Sequence, residues 1–295
     1  MKLHRTVKLF LAFALATALF GAAGAQTKTD RENAGLRGAV KTISSKQSNF
    51  ADANAKAAYA VLQRDVVTYD RAGNETERVI YDDYGTLVGK ETRTFKAGSL
   101  LESVASDPQN KVMEKQAFTY RGANLTQIVT FDGAGAPGLK QVNTYNPKNQ
   151  LTEESYLVAD QLYGKTVFKY DARGNVSETA FFLADGTKAT APIGPCLGAH
   201  RVTSAYNEKD QQTVVNAYEA DGKLKHTWQY AYNAQGNISE DTRVSPLSKL
   251  KYVYTYEYDA AGNWIKQTAI QSELAATASS PPGRKVIVTR EIAYY

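Results

Sequence analysis

Cysteine, tryptophan, methionine and histidine are all scarce in this chain of 295 residues, which has one Cys, two Trp, two Met and three His. The lone thiol, Cys196, cannot form an internal disulfide, so stability must come from a packed core and a hydrogen-bonded sheet. It sits in IGPCLG without a basic neighbour and reads as a small buried hydrophobe rather than a nucleophile. Beyond the N-terminal segment only His200 and His226 remain, and neither stands in a metal-spaced cluster or beside a nucleophile motif. No catalytic residue, metal ligand or cofactor site emerges from this inventory. An excess of one charge is also missing. Lys2, Arg5 and Lys8 lie before residue 26, and without them 32 basic groups face 30 acidic ones. That balance excludes the polybasic field that draws proteins to nucleic acid. Long apolar runs are absent apart from one near the start.

That run, LFLAFALATALF (9–20), follows the basic segment MKLHRTVK and precedes Ala23-Gly24-Ala25, a small-x-small cleavage site. These are the three parts of a secretory signal peptide over residues 1–25, with Gln26 as the new N-terminus. The run is short for the roughly 20 residues that span a bilayer, so no membrane span is expected after cleavage. Residues 26–36 read as a disordered lead-in, and 37–295 as a single repeat domain.

Tyrosine, with 19 copies, is what the chain has in plenty, and it recurs at regular intervals. Four hexapeptides nearly coincide: YDRAGN from Tyr69, YDARGN from Tyr170, YNAQGN from Tyr232 and YDAAGN from Tyr258. Weaker copies start at Phe95, Tyr120, Tyr145 and Tyr206. Successive anchors are 25 or 26 residues apart, except for one interval of 36 that holds the insertion around Ile193 to Gly198. A second aromatic falls midway in most units, at Tyr81, Phe131, Tyr156, Phe182 and Tyr218. Each unit is therefore strand, turn, strand, turn.

The hexapeptide is a hairpin tip. Its Asp or Asn (Asp70, Asp171, Asn233, Asp259) accepts from backbone two residues on, and its Gly (Gly73, Gly174, Gly236, Gly262) takes a left-handed conformation. The closing Asn74, Asn175 and Asn237 begin Asn-x-Ser/Thr sequons, as does Asn124, while Asn263 does not; the repeat itself accounts for them. Acidic residues are too sparse at these turns for a calcium loop. The expected fold is all-β: sixteen to eighteen antiparallel strands built from hairpin repeats, as a coiled meander sheet or barrel-like shell. Leu36 to Ile43 and Val286 to Tyr295 are expected to cap its edges. Ala51 to Leu62 is the one stretch with a weak helical pattern.

The YDxxGN units, their period and the midway aromatic resemble the YD or RHS-type repeats of exported bacterial proteins. The resemblance covers roughly Leu36 to Tyr295 and implies stacked β-hairpins. In the large toxin and teneurin relatives such repeats spiral into a shell around a cargo; here there are about eight units and no toxin module.

Three readings of function follow. The first is a non-enzymatic exported protein of the periplasm, cell surface or extracellular space that binds an envelope glycan or protein through aromatic rings. Alternation places Tyr252, Tyr254 and Tyr256 on one strand face and Trp228 and Tyr230 on another, with Trp264 nearby. These six are the candidate binding residues; the competing reading makes them inner sheet packing. The second is a periplasmic enzyme or a scaffolding or folding factor whose site is built from residues distant in sequence. Adjacent carboxylates such as Asp82-Asp83 and Glu153-Glu154 do not make one, because neighbours on a strand face opposite sides. The third is an outer-membrane barrel. Alternating strands and the terminal Tyr295 are compatible with it, but charged groups on both faces, as in NETERVIYDD, oppose it.

Overall fold

The computed structural model describes residues 28–295 except 52, 57, 59, 83, 197 and 275–282. The signal peptide, Asp83 of the Asp82-Asp83 pair and most of the loop before the last strand lie outside the described residues. The fold is all-β. Eighteen strands, each antiparallel to its sequence neighbours where they pair, belong to one sheet, and only one turn of helix accompanies them. No helix is long and apolar enough to cross a membrane.

The described residues divide into two compact units. The central unit holds Leu101–Ala105 and Val112–Lys225. Its strands are β6 (Val112–Arg121), β7 (Asn124–Asp132), β8 (Pro137–Tyr145), β9 (Leu151–Val158), β10 (Gln161–Tyr170), β11 (Val176–Leu183), β12 (Arg201–Tyr206) and β13 (Gln212–Tyr218), each paired with the next. The terminal unit holds Lys28–Leu100, Ser106–Lys111 and His226–Tyr295. It contains helix α1 (Asp30–Asn33) and strands β1 (Val40–Phe50), β2 (Ala60–Tyr69), β3 (Glu75–Tyr81) and β4 (Leu87–Lys96). From the other end of the chain come β14 (Leu224–Tyr232), β15 (Ile238–Ser245), β16 (Ser248–Tyr258), β17 (Trp264–Glu273) and β18 (Lys285–Tyr294). β5 (Ser99–Ser106) has residues in both units.

The hexapeptide does what its residue types dictate. At Asp171 the side-chain Oδ1 accepts from the N–H groups of Arg173 and Asn175, both at 2.9 Å, and the Gly174 N–H reaches the Asp171 carbonyl at 3.1 Å. Gly174 has φ +91°. The extra residue appears as a register shift at Lys169/Tyr170, and the same shift recurs at Tyr69, Tyr232 and Tyr258. Each tip is therefore a type I turn closed by a glycine bulge. In two weaker copies a non-glycine residue takes the bulge position: Asn149 at φ +58° and Asp210 at φ +58°. At the midway turn of β13–β14, Gly222 has φ +87° and open space where a Cβ would stand. Gly222→Ala is expected to destabilise by about 1 kcal/mol through backbone conformation alone. Gly222→Asn is expected to lose less, as the two natural substitutes indicate; urea unfolding of the pair checks this.

The repeat tyrosines are fasteners. Their hydroxyls donate to backbone carbonyls one hairpin earlier: Tyr145 to Leu125 (2.8 Å), Tyr170 to Leu151 (2.7 Å) and Tyr206 to Val176 (2.8 Å). The closing asparagines fasten in the forward direction, with Asn237 Nδ2 donating to the Tyr258 hydroxyl at 2.9 Å. A period of about 25 residues thus repeats a hydrogen bond as well as a shape.

Three expectations change. The lead-in is ordered from residue 28 onward. Thr29 caps α1 in a reciprocal box with Glu32, Asp30 Oδ2 accepts the Glu75 N–H at 2.9 Å, and Leu36 is buried with Val40, Ile43, Val67 and Tyr69. These polar and apolar anchors outweigh the segment's weak composition. The weak helical pattern at Ala51 to Leu62 gives turns and then the start of β2, because Ala60 to Leu62 pair with β1. The two expected caps pair with each other: β1 lies between β2 and β18, in register from Val40↔Tyr294 to Phe50↔Lys285. Asn263 completes the junction, accepting from the Arg37 N–H at 2.7 Å and donating to the Arg37 carbonyl and the Tyr294 hydroxyl, both at 2.8 Å.

Candidate functional site

All six candidate aromatics fall in the terminal unit, on neighbouring strands, and all are partly exposed. β14 carries Trp228 and Tyr230, β16 carries Tyr252, Tyr254 and Tyr256, and β17 carries Trp264. On β16 the tyrosines are the less exposed set, while Val253, Thr255 and Glu257 face the other way and are exposed. The period-two pattern read from KYVYTYEY therefore holds.

Between the two aromatic strands runs β15, whose contribution the sequence pass missed. Register places Asp241 opposite Tyr230 on one side and Tyr252 on the other, and Arg243 opposite Trp228 and Leu250. Directly opposed residues of antiparallel strands share a face, so Asp241 and Arg243 are set among the rings. Asp241 is 3% exposed. Its Oδ2 accepts from Arg243 Nε at 2.8 Å and Nη2 at 2.7 Å, while its Oδ1 is buried without a hydrogen-bond partner. The Arg243 guanidinium lies 4.4 Å from the centre of the Tyr252 ring, which is stacked with Tyr254 at 6.4 Å. Burial, with Asp241 adding to it, pushes the Tyr254 hydroxyl up to about 12, so it stays a neutral donor at physiological pH. The signal available in the sequence was the turn at Ser245–Ser248, which fixes the β15–β16 register, together with the alternation of Asp241 and Arg243.

Tyr256 and Trp264 belong to a second cluster. Their rings meet at 6.1 Å, edge to face, and the Arg290 guanidinium covers Trp264 at 3.4 Å. The Tyr256 hydroxyl donates to the Ile238 carbonyl at 2.8 Å and accepts from Gln267 at 3.0 Å. Both rings are thus tied into the sheet, and the packing reading fits them better than it fits Trp228, Tyr230, Tyr252 and Tyr254. Desolvation lowers Arg290 to about 10, and its Nε is buried with no acceptor.

The central unit encloses a different polar group. Tyr156 and Phe181 are wholly buried with Cys196 and Ala191, beneath the insertion that breaks the repeat period. The Tyr156 hydroxyl donates to Glu154 at 2.7 Å and lies 3.3 Å from the Thr166 hydroxyl. The Cys196 thiol donates to Thr179 at 3.1 Å, and burial pushes it up to about 11, which suits an inert core residue. His200 is also buried, its Nδ1 2.8 Å from the Phe181 carbonyl. Glu153, its neighbour's opposite in direction, pairs with Lys165 at 2.8 Å near solvent.

Burial raises Glu154 to about 7, against the opposing bond from Tyr156. A carboxyl raised on folding favours the folded state fully below its unfolded value of 4.5 and loses that advantage as pH rises through 7. Stability is therefore expected to fall between pH 5 and pH 8 by on the order of 3 kcal/mol from this group. Glu154→Gln should flatten the profile, as read by urea unfolding at the two pH values.

The turn residues of the four hexapeptides act in the fold, as the hydrogen bonds above describe. Among the described residues, no group of three His, Cys, Asp or Glu is placed to hold a metal ion.

No family model and no curated protein matches the chain. Among solved structures, it is similar to a porin-like protein from Bacteroides uniformis, with 14% identity over 86% of this chain and 98% of that one at a TM-score of 0.43. It is also similar to a porin-like protein from Bacteroides vulgatus, with 8% identity over 87% and 98% of the two chains at a TM-score of 0.29. A third likeness is to a chain of a TcdB2-TccC3-Cdc42 structure, with 11% identity over 72% of this chain at a TM-score of 0.31; the match spans only 16% of that longer chain. At these values the likenesses carry no argument about what this chain binds.

Proposed function

We propose that the protein is a non-enzymatic, exported envelope or surface protein that binds a glycan through the β14–β16 face of its terminal unit. The observation that carries this reading is the gathering of Trp228, Tyr230, Tyr252 and Tyr254 around a carboxylate with a spare oxygen. Flat, partly exposed rings beside directional polar groups suit sugar rings, which have apolar faces and hydroxyl edges. Export rests on the signal-like residues 1–25, and the hexapeptide turns and period support a place among YD or RHS-type repeat proteins.

The reading puts no strand in a bilayer. The face turned away from the tyrosines carries Lys251–Glu240 (2.9 Å), Lys266–Glu257 (2.6 Å) and Lys46–Glu291 (3.8 Å). In hydrocarbon each Lys would cost about 2–4 kcal/mol at the midplane. The test is affinity electrophoresis of the chain from Gln26 against a polysaccharide panel. Saturable retardation by at least one polysaccharide is expected, weakened by Trp228→Ala with the fold intact. Retardation by none removes the glycan reading and turns attention to a protein partner.

A further inference from the structure

The Asp241–Arg243 pair has a feature that packing does not use. A buried carboxylate oxygen without a donor is unfavourable by about 1–3 kcal/mol, and native structures rarely keep one. Here the other oxygen is fully engaged by Arg243, so the side chain is held with Oδ1 facing the aromatic group. Strand register fixes the surroundings: Tyr230 and Tyr252 beside the carboxylate, Trp228 beside the guanidinium. The Tyr252 ring is already covered by Arg243, which leaves Trp228 as the flat face available across from the cation. The Arg243 side chain is 47% exposed, whereas that of Asp241 is 4% exposed. A ligand therefore meets Arg243 first and reaches Oδ1 past it.

We propose that Asp241 and Arg243 form the polar centre of a subsite for a neutral sugar, reading two adjacent hydroxyls while Trp228 packs against the ring. One hydroxyl donates to Asp241 Oδ1. Its neighbour accepts from the Arg243 guanidinium, whose planar fork presents several N–H groups at once. The proposal deepens the glycan reading and rests on it. The sign of the orphaned atom sets the ligand class. A carboxylate on the sugar would be repelled by Oδ1, and an ammonium would be repelled by Arg243 before it arrived. A hydroxyl pair offers the donor and the acceptor without net charge.

The test is calorimetric titration of the chain from Gln26 with four-unit oligosaccharides of glucose, mannose and galactose, with a four-unit uronic acid oligomer as the acidic control. At least one neutral oligosaccharide is expected to bind. Asp241→Asn, which keeps the shape, and Arg243→Lys, which keeps the charge at a half-exposed position, are each expected to weaken it at least tenfold. Thermal unfolding of both variants verifies that they fold. Neutral binding that survives both substitutions but is lost in Trp228→Ala overturns the subsite and leaves the aromatic reading standing. A preference for the uronic acid oligomer overturns the neutral class. Binding of no oligosaccharide and no panel polysaccharide overturns both readings together.

Discussion

Tyr156→Ala is expected to destabilise the central unit by about 4 kcal/mol, in the range measured for large aromatic truncations in cores. Tyr156 is wholly buried, and its ring packs at 6.3 Å from Phe181. Two losses combine. Removing the ring leaves a cavity beneath the insertion, and removing the hydroxyl strips Glu154 of its one printed partner inside the core. Gly194, on the insertion, comes so close that a Cβ there would stand 2.2 Å from the Tyr156 hydroxyl. The insertion is thus shaped to this one side chain and cannot settle inward over an alanine without remaking its backbone. Tyr156→Phe separates the terms: the ring stays, the hydroxyl goes, and about 1–2 kcal/mol is expected. Urea unfolding at pH 5, where Glu154 is protonated, gives the cleanest comparison.

The second large effect is expected in the terminal unit. Arg78 donates to both oxygens of Glu75, at 2.9 and 2.8 Å, and to Asp65 at 2.7 Å. Its side chain is only 18% exposed and that of Glu75 only 7%. Burial alone would lower the Arg78 guanidinium, but the paired carboxylates more than reverse it and hold it raised. Arg78→Met removes the cation and keeps much of the volume. It leaves Glu75 with only Arg93, at 3.5 Å, as a cationic partner. A loss of about 3 kcal/mol is expected, at the low end for a broken buried pair because Asp65 keeps some solvent. Adding Glu75→Gln removes the stranded charge and should recover part of the loss. If the double variant is no more stable than the single one, the charge-pairing account of this cluster fails.

The sequence carried the architecture because the repeat is written in local chemistry. Asp171, Gly174 and the register shift at Tyr170 are consequences of residue types within six positions, so spacing alone located the hairpins. What escaped depends on pairing between units of the repeat. Asp241 looks like any polar strand residue until β15 is laid between β14 and β16. The order around Asp30 and Leu36 depends on contacts with Glu75 and Tyr69, about 40 residues away, which composition does not record. The candidate aromatics divided for the same reason: Tyr256 finds Gln267 and the Ile238 carbonyl across the sheet, whereas no hydrogen bond of this kind ties Tyr252.

The pairing of β1 with β18 bears on the order in which the molecule can be assembled. Strand partners separated by nearly the whole chain make folding slow, since a very large loop must close before they reward it. While Lys285–Tyr294 is still emerging, β1 has only β2 beside it and one open flank. A polypeptide that must be threaded through an export channel unfolded is served by such late completion, because the last segment to cross is the one that locks the first in place.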